Sequence, residues 1–137
     1  MNDNEAKKAF LRRYQDSLKA EKGIEDEIEA LRANAMIHSQ NMDGMPRGSA
    51  QSDLSTYAAQ LDKMLTDLHA EIERKSQIRR EIINAIEALP NESEKMILRF
   101  RYINGWNWER IAVETFYTYR HVTRIHGNAL SHLKLPE

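Results

Sequence analysis

The chain is 137 residues long, room for one domain or one small domain with an appendage, and its 20 Lys and Arg against 21 Asp and Glu leave a net charge of −1. That balance supplies no bulk attraction to nucleic acid or membrane. The absence of Cys excludes disulfide scaffolds, thiolate metal sites and Cys nucleophiles, and no apolar run approaches the roughly 20 residues of a membrane span. With 30% charged residues, five Gly and three Pro, the composition is that of long amphipathic helices, so an all-α fold is expected. The polar, acidic start Met1-Asn2-Asp3-Asn4-Glu5 lacks signal-peptide character, which points to the cytoplasm.

A first helix is predicted over residues 4–38, where Phe10, Tyr14, Leu18, Ile24, Ile28, Leu31 and Ala35 recur mostly at three- and four-residue steps. Gly23 weakens its middle by about 1 kcal/mol relative to Ala and allows a bend. Residues 39–52, with Gly44, Pro46 and Gly48, have loop composition. Ser52 or Asp53 is positioned to cap a second helix. Its stripe of Leu54, Tyr57, Leu61, Leu65, Leu68 and Ile72 continues through Ile78, Ile82, Ile83 and Ile86 to Leu89, interrupted at Lys75 and Arg79. At 1.5 Å per residue such a rod is roughly 55 Å long and buries its stripe only against a partner. That partner is the first helix folded back as an antiparallel hairpin, or the same stripe of another subunit. The imperfect repeat favours the hairpin, a coiled-coil-like stalk, with added homodimerisation through it.

Leu89-Pro90-Asn91 ends the rod. Asn91 with Glu94 reads as a capping box opening a helix over about 92–104, and Asn104-Gly105 as its left-handed stop. Asn107 then caps a short helix with Trp108, Ile111 and Ala112 inward. After Thr115-Phe116-Tyr117, Thr118 caps a final helix with Val122, Ile125, Ala129, Leu130 and Leu133 inward. Two short helices joined by about three residues make a helix-turn-helix, here with Phe116 where a Gly would ease the turn. The expected domains are therefore a helical hairpin stalk over 1–89 and a three-helix helix-turn-helix domain over 90–137. The charge divides along the same line: residues 1–89 carry 13 basic and 16 acidic side chains, residues 90–137 carry 7 and 5, and 118–134 contains no acid.

On the final helix Tyr119, Arg120, Thr123, Arg124 and Asn128 face outward. Arg offers bidentate bonds to guanine, Asn to adenine, and Thr and Tyr supply hydroxyl, methyl or ring contacts, so these five are candidate base-contacting residues. Arg99, Arg101, Arg110, His121 and Lys134 are candidates for phosphate contact, which positions a module without reading sequence. The competing plain reading of Arg120 and Arg124, four residues apart, is a solvated helical face. The five His residues lack metal-ligand spacing, and the carboxylates alternate with Lys and Arg as on solvated helices. No metal, no cofactor and no enzymatic activity are expected.

Three runs carry a resemblance: residues 94–102, Trp108-Glu109-Arg110-Ile111-Ala112, and Thr118 to Leu133. Together they resemble region 4 of sigma-70-type transcription factors. More narrowly, Arg101-Tyr102-Ile103-Asn104-Gly105, Trp108-Glu109 and Arg124-Ile125-His126-Gly127-Asn128-Ala129-Leu130 are similar to the phage ArpU/RinA-like regulators of late transcription. The resemblance implies a phage or prophage regulator acting on double-stranded DNA in a bacterial host cell, as a late-gene activator reading a promoter or operator. It also implies that Tyr119, Arg120, Thr123 and Arg124 occupy the positions sigma region 4 presents to the −35 major groove. RNA polymerase is a further expected partner. An adaptor or inhibitor of polymerase, and a terminase small subunit, are the alternative readings.

Overall fold

The computed structural model describes residues 2–40 and 50–136, and no strand occurs among them. Five α-helices follow in order: α1 (Asp3–Gln40), α2 (Ala50–Glu87), α3 (Glu92–Leu98), α4 (Trp108–Thr115) and α5 (Tyr119–His132). A π-helical segment, Arg99–Ile103, continues α3. The helix α1 passes through Gly23 without interruption, and α2 begins at Ala50, ahead of the predicted caps Ser52 and Asp53. Of the predicted loop at 39–52, residues 41–49 lie outside the described residues and the remainder is helical.

The chain forms two compact units, Met1–Ser17 with Lys75–Glu137, and Leu18–Arg74. Pro90 divides helices, as expected, but packing runs across it: one core joins Phe10 and Leu11 of α1, Ile78, Ile82 and Ile86 of α2, Leu89, and Leu98, Tyr102, Ala129, Leu130 and Leu133. Full burial of each aliphatic side chain is worth about 1.5–3 kcal/mol. A second core joins Ile97, Ile111, Val122 and Ile125, with Phe100, Trp106, Trp108, Ala112 and Tyr117 around it. All five residues assigned inward on α5 are buried, two in this core and three in the larger one.

Two polar contacts from α1 complete this unit. Lys7 Nζ donates to Leu130 O at 2.7 Å, with Asp3 Oδ2 3.4 Å away. Leu130 O is among the last carbonyls of α5, where a cation satisfies both an orphan acceptor and the helix dipole. Gln15 Nε2 donates to Tyr102 O and Ile103 O, closing the end of the π-helical segment. That segment corrects the single helix predicted over 92–104. Its last turn widens so that Asn104 N donates to Arg99 O, five residues back, and Gly105 then turns the chain at φ +73°.

The predicted capping box forms only in part. Asn91 Oδ1 accepts from Ser93 N and Glu94 N, but the Glu94 carboxylate does not return to Asn91. It is buried and takes His132 Nδ1 of α5 at 2.9 Å. The unit Leu18–Arg74 is less densely packed. Ile28 and Glu71 are buried there, while Leu31, Leu61, Leu65 and Leu68 are half-buried. A groove of about 530 Å³ in that unit has a mixed lining, with Glu27, Asn34, Lys63 and Asp67 beside Leu31 and Met64.

Candidate nucleic-acid interface

The helix α5 is held at both ends of its buried face, which fixes what it presents outward. Thr118 Oγ1 accepts from His121 N and starts the helix. Asn107 Oδ1 likewise accepts from Arg110 N and starts α4. Between them the chain turns at Phe116, whose φ of 59° and ψ of 22° are left-handed. That conformation costs a non-glycine residue roughly 1–2 kcal/mol, and the ring gains no burial in return, being 96% exposed. Thr115 supports the turn: its hydroxyl donates to Ile111 O at 2.7 Å and accepts from Tyr117 N at 3.4 Å.

Burial of Val122, Ile125, Ala129 and Leu130 leaves the opposite face of α5 outward. Tyr119, Arg120, Arg124 and Asn128 are exposed and Thr123 is half-buried, so the five candidate base contacts share one side of the helix at about one-turn steps. Thr123 Oγ1 donates to Arg120 O, an ordinary helical back-bond. Arg124 is ordered by a neighbour: its Nη2 lies 2.9 Å from His121 Nδ1. The imidazole in turn meets the Tyr117 ring edge-on, centroids 4.7 Å apart.

The candidate phosphate contacts divide by what already holds them. Arg99 Nη2 donates to Glu87 Oε1 at 2.6 Å, so phosphate contact there requires an ion pair to open. Arg101 is half-buried, stacked 4.3 Å over the Trp108 ring, and donates to Trp106 O. Arg110 lies 4.1 Å over Trp106, which itself stacks on Phe100, and the residue as a whole remains exposed. His121 is half-buried beside Arg124, and Lys134 is exposed beyond the end of α5.

Beneath this surface lies a polar pair within the core. Tyr102 Oη and His126 Nε2 are 2.7 Å apart, and Trp108 packs edge-on against the imidazole. Burial lowers His126 from 6.5 to about 4, helped by the charges of Lys8, Arg101 and Arg12, and burial raises the Tyr102 phenol. Both groups are thus neutral at pH 7, and with the imidazole proton on Nδ1 the phenol donates to Nε2. Lys8 and Arg12 act on His126 from α1, far away in sequence. They are basic residues beside α5 that the sequence reading did not select, although Lys7-Lys8 and Arg12-Arg13 concentrate positive charge in the first 13 residues.

Among the described residues no group of three His, Asp or Glu could hold a metal ion, and no helix is long and apolar enough to cross a membrane. Comparisons with family models, with curated protein sequences and with solved structures return no match.

Proposed function

We propose that this chain is a double-stranded-DNA-binding transcriptional regulator of the phage ArpU/RinA-like kind, without enzymatic activity, working in the cytoplasm of a bacterial host. In this reading α4, the turn at Phe116 and α5 form a sigma region 4-like helix-turn-helix, with α3 as the third helix of that domain. The antiparallel hairpin of α1 and α2 is the stalk. It is supported by the packing of the start of α1 with the end of α2, where Leu11 and Ile82 belong to one core and Arg13 pairs with Glu81 at 3.0 Å. The observation that carries the functional reading is the outward face of α5. Two arginines, a tyrosine, a threonine and an asparagine occupy it, on a segment without an acid, opposite a buried face that is apolar apart from His126. That is the arrangement a recognition helix needs in a major groove.

A single module buries only about 600–1,000 Å² on DNA, so a homodimer would supply the remaining affinity. Apolar side chains left exposed on the long helices, Met36, Ile37, Leu54 and Ile72, support dimerisation there. A twofold dimer would read half-sites about 34 Å apart, or a multiple of that spacing. The test is a titration of duplexes recovered from a random pool at several salt concentrations. Arg120→Ala and Arg124→Ala are each expected to cost roughly 1–3 kcal/mol at the recovered site. Unchanged binding by the double variant overturns the reading.

One observation favours a second reading, an adaptor or inhibitor bound to RNA polymerase. Phe116 and Val113, 96% and 71% exposed, form an apolar turn that suits a protein partner. Co-purification with polymerase, without any salt-dependent DNA binding, would support that reading over the first.

A further inference from the structure

We infer that His121 is a positioning residue that presents Arg124 to a guanine, so that the DNA site contains a G·C pair whose recognition depends on a histidine that need not touch it. The inference rests on the DNA-binding reading above and assigns His121 a role other than phosphate contact. Arg124 Nη2 and His121 Nδ1 are 2.9 Å apart. A guanidinium has only donors, so Nδ1 must be the acceptor, which requires a neutral ring with its proton on Nε2. The ring cannot swing freely, because the half-buried Tyr117 meets it edge-on at 4.7 Å and packs on the core of Ile97, Ile111, Val122 and Ile125.

The chain of support therefore runs from the core through Tyr117 and His121 to the tip of an exposed arginine. A free arginine loses side-chain entropy when it forms the two parallel bonds to guanine O6 and N7; one already held by a neighbour loses less. The same restraint narrows its choice of acceptor. Adenine, which offers N7 beside a donor amine, cannot satisfy both guanidinium donors. Restricting the arginine's orientations therefore separates the two purines more sharply than affinity alone would.

The experiment measures binding of the full chain to its selected duplex and to variants of that duplex carrying each other base at every position. It is run for the parent, Arg124→Ala, His121→Ala and His121→Gln, with circular dichroism on each. The parent should prefer guanine over adenine at one position by at least about tenfold, and Arg124→Ala should abolish that preference. His121→Ala should reduce it to within about threefold while leaving the salt dependence of binding unchanged, since a neutral ring releases no counterion. His121→Gln, which restores a side-chain acceptor, should recover a substantial part. A guanine preference that survives His121→Ala overturns the positioning role and leaves the DNA-binding reading standing. A loss spread evenly over all sequences, or no rescue by Gln, also overturns it. Failure of the parent to select any sequence overturns the DNA-binding reading, and this inference with it.

Discussion

At the scale of single residues, two side chains stand where ordinary preferences run against them. Phe116 holds a left-handed backbone with its ring in solvent, so burial of the side chain does nothing to offset the strain. Phe116→Gly is expected to stabilise the chain by up to about 1 kcal/mol, read as a higher denaturant midpoint, while Phe116→Ala leaves it nearly unchanged. His126 is the second case. The unfolded chain takes up its imidazole proton near pH 6.5 and the folded chain only near 4, so the stability tied to the neutral ring is complete above 6.5 and is lost as pH falls through that window. The contribution is at most about 3 kcal/mol. Melting temperature should decline between pH 6.5 and 4, and His126→Gln should flatten that decline; equal slopes for parent and variant would contradict the assignment.

At the scale of elements, three N-caps were legible in the sequence, while the start of α2 ahead of Ser52 and Asp53 and the cross-connections were not. Asn91, Asn107 and Thr118 each accept from backbone amides where a polar residue before an apolar run predicts it, because capping is a local event. Glu94 obeyed the same local rule on paper, but its carboxylate found His132, 38 residues away. No local pattern encodes such a choice. Removing the imidazole with His132→Ala leaves a buried carboxylate without that partner and should cost about 1–3 kcal/mol in unfolding free energy. The widening of α3 into a π-turn was hidden for the same reason: Gln15 of α1 satisfies its terminal carbonyls. Glycines separate the two kinds of constraint. Gly23 has open space around it in mid-helix, so Gly23→Ala should stabilise by about 1 kcal/mol. At Gly105, φ is +73° and an added Cβ would meet Gln15 Oε1 at 2.9 Å, so Gly105→Ala should destabilise. Thermal denaturation of the two variants checks the opposite signs.

At the scale of the molecule, helical periodicity foretold an all-helical chain and the buried face of α5, because repeated burial leaves its imprint on spacing. It could not foretell which distant segments share a core. The sequence divides at Pro90, yet Phe10, Leu11, Ile82 and Ile86 share one core with Leu98, Leu130 and Leu133. A fragment of residues 90–137 would expose that surface and should show no cooperative melt by circular dichroism, whereas the full chain should. The outward residues of α5 were legible for the complementary reason: once the inward set is fixed, the rest of a helix has only one side left. The ordering of Arg124 by His121 was not legible, since three-residue spacing places many side chains near one another without specifying a bond. The central claim, that this outward side meets DNA, is tested most directly by nuclear magnetic resonance of the labelled full chain on addition of its selected duplex. The account predicts amide and side-chain shifts concentrated at residues 119–128. Shifts centred on Val113 and Phe116 or on residues 27–67, with the outward residues of α5 unmoved at saturating duplex, would contradict it.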